Sequence, residues 1–366
     1  MKIVSTSYTY TAEFSDPEKW LERINFHTGI LDELAKHHEV DSIEQINYTG
    51  KLKRNGVQYH FLNYKKKKLY FPVSLHRHIK KIKPDVVFVN GFIFPLQTIQ
   101  LRLILGRRVK IIVINHAEKP VAGIRKFLQQ QADRFILSYF FTSKEMGAAW
   151  VQQGIIANEQ KITEVMEASS FFAVMDKEKA LGATGVNGSL IFLWVGRLDK
   201  NKDPLTVVKG FLQFLQFQPM AKLYMIYQTE ELLKEINNII QAHNKAGEAI
   251  ELVGKIPHGQ LQNWYNAADF IISGSHYEGS GIAVCEAMSC GCIPILTNIP
   301  SFRKMTGRGN CGFLYEPGSD AGLLKALLQT VELNIENEKT KVLEQFKAEL
   351  SFEAIAKKIN TVINSL

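Results

Sequence analysis

The residues with the most chemical content run from Glu278 to Glu286, E-G-S-G-I-A-V-C-E, and lead straight into A-M-S-C-G-C-I-P-I-L. Gly279 and Gly281 suit a tight turn, Ile282 to Met288 suits a helix, and the preceding F-I-I-S, Phe270 to Ser273, suits a buried strand. A helix starting beside a loop of small residues offers free backbone N–H groups and the positive end of its dipole, so an anion such as a diphosphate is favoured there. The two glutamates stand eight positions apart in the chain, which does not suit a pair of carboxylates flanking one scissile bond. Their jobs should differ. Glu278 precedes the helix, where a carboxylate can meet hydroxyls beyond the phosphates. Glu286 lies about 7 Å further along at ~1.5 Å rise per residue, where an acceptor-only group suits the paired hydroxyls of a ribose. The plainer alternative is a capped helix carrying surface acids.

A second constellation is L-I-F-L-W-V-G-R-L-D-K-N-K-D-P, Leu190 to Pro204. Leu190 to Val195 reads as a buried strand, Gly196 opens a turn, and Asp203-Pro204 reads as an N-cap followed by proline in the first helical position. Arg197 and Lys202 then sit at a strand's carboxyl end, where open α/β sheets place ligands, and two cations on one loop can clamp a diphosphate. By itself an R-x4-K pattern is better explained by a solvated basic loop, since it is common.

Together the two segments resemble the retaining glycosyltransferases of the GT-B fold, the group-1 or GT4-like family of bacterial mannosyl- and glucosyltransferases. The shared pattern is V-G-R-x4-K followed by a strand and E-G-x-G-x4-E-A-M-A-x-G-x-P, from which this chain departs at Ser289, in place of the usual alanine, at Ser280, in place of a common aromatic, and in having two residues, Cys292 and Ile293, between Gly291 and Pro294. The resemblance implies that Gly196, Arg197, Lys202 and the backbone of Gly281, Ile282 and Ala283 bind the donor diphosphate. It implies further that Glu278 holds the donor sugar, that Glu286 holds the ribose, and that the base rests near Lys255 and Ile256 in E-L-V-G-K-I-P. His116 matches the family position whose histidine approaches the donor sugar. A lone histidine at a strand end is otherwise a structural hydrogen-bonding group. The implied architecture is α/β, two Rossmann-like domains facing each other across a cleft.

Length agrees, since 366 residues with 46% hydrophobic content can fill two cores. Asp176 to Ser189, charged and then glycine-rich, reads as the linker. The N-terminal acceptor domain is expected over residues 1–172 and the donor domain over 186–345, with a terminal helix over about 350–366 crossing back to the first domain as in relatives. Strand and helix signals alternate in the first half, with strands at Lys2 to Ser5, Pro84 to Asn90, Val109 to Asn115 and Arg134 to Phe141, and helices at Ile30 to His37 and from Lys144. The family's usual Gly-Gly turn after the first strand is replaced by S-T-S-Y-T-Y, Ser5 to Tyr10, and its N-G-V-D stretch by E-A-S-S, Glu167 to Ser170. Both departures bear on the acceptor side.

His76 and His78 flank an arginine in a helical pattern and read as solvated surface. Cys285, Cys290, Cys292 and Cys311 lack a C-x2-C knuckle and read as core packing in a reducing compartment, with no metal site. No D-x-D sequence is present, so a cation bridged through such carboxylates is not indicated. The expectation is no cofactor and no metal, with Arg197, Lys202 and the helix end supplying positive charge.

Residues 1–170 hold 25 Lys and Arg against 16 Asp and Glu, whereas the rest of the chain is nearly balanced. The basic half includes N-Y-K-K-K-K-L-Y-F, and Lys65, Lys66, Lys67 and Lys68, interleaved with aromatics, suit either anionic lipid headgroups or plain solvent. Nucleic acid is not expected, because no recognised module accompanies the charge. With no signal peptide or spanning segment in view, the reading is a cytoplasmic protein, soluble or peripheral on the inner face of the membrane. The expected activity is retaining transfer of a hexose-like unit from a nucleoside-diphosphate sugar to a hydroxyl of a glycan, lipid-linked or polysaccharide precursor. Alternatives are another enzyme of the same fold, such as a nucleotide-sugar epimerase, and a silent nucleotide-sugar-binding protein. Sugar, base and acceptor are not specified by these residues.

Overall fold

In a computed structural model of the chain, residues 1–64, 69–243 and 246–365 are described. The chain divides into two compact units, one formed by Met1–Ser169 with the chain from Phe352 on, the other by Ser170–Ser351.

The first unit is built on β1 (Lys2–Thr6), β2 (Glu39–Glu44), β3 (Gly50–Arg54), β4 (Val57–Phe61), β5 (Val86–Asn90), β6 (Lys110–Ile114), β7 (Ser138–Phe141) and β8 (Ile162–Glu164), in the order β3-β4-β2-β1-β5-β6-β7-β8. All pairings are parallel except that of β3 with β4. The central strands are covered on both faces, which is why V-V-F-V at Val86 to Val89 and I-I-V-I at Ile111 to Ile114 are continuous apolar runs rather than alternating ones. Asn55 and Gly56, both at positive φ, form the tight turn that makes β3 and β4 a hairpin.

The second unit holds β9 (Ile191–Gly196), β10 (Lys222–Tyr227), β11 (Ile250–Gly254), β12 (Phe270–Ser273), β13 (Ile293–Thr297) and β14 (Phe313–Tyr315), in the order β11-β10-β9-β12-β13-β14 and parallel throughout. This is the doubly wound order in which the chain reverses direction across the sheet between β9 and β12. Ligands of such sheets bind beyond the strand ends at that point.

The helix Phe352–Ser365 packs on the helix Asn25–Ala35 of the first unit and buries Ile355, Ala356, Ile359 and Ile363. Burial of each isoleucine contributes roughly 1.5–3 kcal/mol. The two helices approach so closely that a Cβ on Gly29 would lie 2.6 Å from the Phe352 ring, so any larger residue there would push that ring aside.

Three expectations are corrected. The proposed linker contains a helix, Lys177–Thr184, capped by Asp176, which accepts from Lys179 N–H, and ended by Gly185 at φ 70°. It packs on the helix Leu261–Ala267 and belongs to the second unit, so capping outweighed a weak apolar period. His76 is 0% exposed, with Nε2 2.9 Å from the Tyr8 hydroxyl, because the helix Val73–Ile82 turns Leu75, His76 and Ile79 inward. His78 is half-buried and bonded to His60, which bonds Asp41. The strand expected from Arg134 begins only at Ser138, since Phe135 and Ile136 donate back to Ala132 and Asp133 in the turn that ends the helix Gly123–Asp133.

Candidate functional site

Two loops meet where the second sheet reverses direction. Past β9, Leu198 is buried and anchored, its N–H donating to Thr229 and its carbonyl accepting from Leu232 N–H. Asp203 then caps the helix Pro204–Phe214, accepting from Thr206 N–H at 3.2 Å and from the Thr206 hydroxyl at 2.7 Å. Past β12, His276 N–H donates to Asn201 O at 2.8 Å, Asn201 Nδ2 donates to Tyr277 O at 3.0 Å, and the His276 ring meets Asp203 at 3.1 Å. These contacts bring the Lys202 ammonium onto the Glu278 carboxylate.

Beside that pair, Gly281 stands at φ 55°, and a Cβ there would lie 2.7 Å from the Phe302 ring; conformation and space both exclude a side chain. The helix Ile282–Ser289 starts here. Val284 and Cys285 N–H both donate to Gly281 O, so the amides of Ile282 and Ala283 lie ahead of the first intrahelical bonds. Lys202, Glu278, Gly281 and Ala283 line one small pocket, floored by Val195, Ile271 and Phe302. A cation, a carboxylate and a helix start are thereby assembled on one spot, an arrangement able to receive an anion joined to a hydroxylated group.

Arg197 does not line that pocket. Its guanidinium pairs with Asp199 at 3.1 Å and is 61% exposed. Gly196 ends β9.

Glu286 is 5% exposed, and its two oxygens have separate donors: the Tyr265 hydroxyl reaches Oε2 at 3.0 Å and His258 Nε2 reaches Oε1 at 2.6 Å. Burial, with the Glu286 charge beside it, holds the Tyr265 phenol well above its usual pKa, so it stays a proton donor. Phe172 packs against both donors, its ring 5.1 Å from that of His258 and 6.1 Å from that of Tyr265. Lys255, exposed, and Ile256, partly buried, follow β11 and precede His258 by three and two positions. Sequence reasoning missed His258 and Tyr265. Their signal was a histidine directly after E-L-V-G-K-I-P and a tyrosine in N-W-Y-N-A-A-D.

In the first unit, His116 lies just beyond β6. Its Nδ1 forms an ion pair with Glu167, its Nε2 is 3.3 Å from Asn90 Oδ1, and its N–H donates to Glu118 Oε2 at 2.7 Å. Asn90 in turn donates to Ser5 Oγ and Thr6 O at the end of β1. Burial works to lower the His116 pKa, but the Glu167 charge and hydrogen bond and the Glu118 charge outweigh it, so His116 is raised overall. Burial likewise raises the Glu118 carboxyl. Glu167, the first residue of the departing E-A-S-S stretch, was not foreseen as the partner of His116.

Cys285, Cys290, Cys292 and Cys311 are buried and unbridged, and burial pushes the Cys290 and Cys311 thiols up to about 12. Lys65 to Lys68 lie outside the described residues. Among the described residues, no helix is long and apolar enough to cross a membrane.

Known proteins share both the sequence pattern and the fold. The family described as glycosyl transferases group 1 matches residues 176–364. The GDP-mannose:cellobiosyl-diphosphopolyprenol alpha-mannosyltransferase of Xanthomonas oryzae pv. oryzae (strain PXO99A) is 26% identical over 140 residues, 38% of this chain and 37% of that protein. The lipopolysaccharide core biosynthesis mannosyltransferase LpsB of Rhizobium meliloti (strain 1021) is 22% identical over 217 residues, 59% of each chain. This chain thus spans less than two thirds of the length of either relative. Among solved structures, sucrose-phosphate synthase from Thermosynechococcus elongatus superposes with a TM-score of 0.72 at 17% identity, over 100% of this chain and 99% of that one. Anabaena Alr3699/HepE, in complex with UDP and glucose, gives a TM-score of 0.72 at 14% identity over 100% of both. These likenesses show a GT-B fold of two α/β units. The family match, covering just over half of the chain, carries the rest of the inference: this protein belongs to the group 1 glycosyl transferases.

Proposed function

We propose that the chain transfers a hexose-like unit from a nucleoside-diphosphate sugar to a hydroxyl acceptor with retention at the anomeric carbon. The observation that carries this reading is the Lys202–Glu278 pair set against the start of the helix Ile282–Ser289 at the turning point of the second sheet. In the reaction the bond from the anomeric carbon to the diphosphate oxygen breaks and a bond to the acceptor oxygen forms on the same face. The acceptor proton passes to the departing diphosphate. Negative charge grows on that leaving group, and Lys202, Arg197 and the amides of Gly281, Ile282 and Ala283 are assigned to stabilise it, without a metal or other cofactor in the scheme. Arg197 would exchange Asp199 for the diphosphate.

Glu278 is assigned to the donor sugar, Glu286 to the ribose and the backbone near Lys255 and Ile256 to the base. His116, fixed in orientation by Glu167 and Asn90, is assigned to the sugar as it loses its leaving group. The acceptor is proposed to be a glycan or lipid-linked precursor handled at the cytoplasmic face, with basic residues including Lys65 to Lys68 near anionic headgroups. The named activities of the Xanthomonas and Rhizobium relatives support this class.

The test is transfer across a panel of uridine, guanosine and adenosine diphosphate sugars. Glu278→Gln and Lys202→Ala should each lower the rate on the order of 10²-fold, as for loss of one group stabilising developing charge. Full rates in both variants with any accepted donor would end the assignment.

A further inference from the structure

Glu286 is almost fully buried, yet it is not sealed. Tyr265, on one oxygen, is fully buried, whereas His258, on the other, is 51% exposed. The less enclosed side of the carboxylate is therefore the side on which His258 stands, and a hydroxyl meeting Glu286 there lies beside the imidazole. An ionised carboxylate only accepts, so Nε2 of His258 carries the proton in the 2.6 Å bond. A carboxylate has about four lone-pair sites. With one taken by Tyr265 and one by His258, the two that remain are fixed in direction, one on each oxygen. Such a pair of acceptors fits a vicinal diol. Phe172, its ring 5.1 Å from the imidazole and tilted 31° to it, packs beside the ring.

Resting on the reading of Glu286 as the ribose carboxylate, we infer that His258 is the positioning residue for that contact: it aims Glu286 at a cis-diol and so makes the site discriminate ribonucleoside from 2′-deoxyribonucleoside diphosphates. His258 acts through Glu286. The chemistry it selects is the pair of adjacent hydroxyls, whatever the base.

The experiment is calorimetric titration of the whole chain with uridine and guanosine diphosphates, their 2′-deoxy counterparts and inorganic diphosphate. For whichever base the wild type binds, the ribo form should bind roughly 10-fold or more tighter than the deoxy form, as for a site that hydrogen-bonds a hydroxyl. His258→Phe keeps a ring against Phe172 but removes the donor. It should weaken the ribo form by roughly 10- to 100-fold, as for loss of a hydrogen bond to a charged group, and bring the ribo-to-deoxy ratio near one. His258→Gln should recover part of the preference, and inorganic diphosphate should bind all three proteins alike. A His258→Phe protein that melts like the wild type and keeps the full preference overturns the inference and leaves the diphosphate site standing. Equal weakening of inorganic diphosphate would also overturn it, because the effect would then not run through Glu286. If the wild type binds none of the nucleotides, the reading of the site fails and this inference with it.

Discussion

Two histidines packed into the first unit, His76 fully and His27 partly buried, make its stability depend on pH. Burial, helped by the charge of His116, lowers His27 to about 4, and burial alone lowers His76 to about 4. Each must stay neutral in the folded chain but protonates near pH 6.5 when unfolded, so the unfolded state binds more protons between these values. Their contribution is complete above about pH 6.5 and is lost as the pH falls towards about 4, roughly 3 kcal/mol each at full effect. His116 has the opposite sign: raised in the fold, it stabilises at low pH and stops doing so as the pH rises through its folded value. Glu118, also raised, shares the sign of His116, so the test is a difference: between about pH 7.5 and about pH 5 the urea midpoint of the wild type should fall relative to that of a variant lacking the His76 imidazole. His76→Phe is that variant, and an identical slope in it would show that His76 does not carry the dependence. At this scale the sequence was readable where residue types cluster. Lys202, Glu278 and Gly281 announce themselves by spacing within one short pattern. His258, Tyr265 and Glu167 are joined to their partners only by the fold, across 21 to 51 positions of chain, and their own neighbourhoods mark them as ordinary.

At the scale of elements, Asp203 links the site to its scaffold. It sits at φ 42°, caps the helix Pro204–Phe214, and contacts the His276 ring on the opposing loop. Asp203→Ala should cost about 1–2 kcal/mol through the lost cap, and more of the left-handed strain would then go uncompensated. Asparagine caps comparably and tolerates that conformation, so Asp203→Asn should lose less than half as much. Chemical denaturation of both variants decides this; equal losses would mean that the cap is not the source. This cap was legible in D-P, as was the strand Phe270–Ser273, whose limits match those read from F-I-I-S. The hairpin of β3 and β4 went unread although Asn55-Gly56 marks it, because the strands around it, G-K-L-K-R and V-Q-Y-H-F, are too polar to stand out by hydrophobicity. The helix Lys177–Thr184 went unread for a related reason: only Ala180 on it is buried.

Across the whole molecule, the helix Phe352–Ser365 joins the first unit from the far side of the second in sequence. Ile359 is 2% exposed and lines, with His27, Ile30, Leu34 and Glu167, the small space under the helix Phe352–Ser365. Ile359→Ala should cost about 2–5 kcal/mol by leaving a cavity. Thermal unfolding of this two-unit protein need not be a single transition, so the measurement should be hydrogen exchange resolved by segment. Protection should fall in the helix Asn25–Ala35 and in β1, β5 and β6 while β9 to β14 keep theirs; uniform loss would sink the prediction. The terminal helix was legible from the family likeness. Its seat was not, because the glycine that admits it, Gly29, is one of 25 in the chain and nothing local distinguishes it.

That seat has a consequence for how the protein is made. The groove on Asn25–Ala35 leaves the ribosome more than 300 residues before Phe352 arrives to cover it, roughly 15 to 60 s at ~5–20 residues per second. For that interval the seat at Gly29 and the space that Ile359 fills beside Ile30 and Leu34 stand uncovered, and a chaperone has reason to hold the nascent chain.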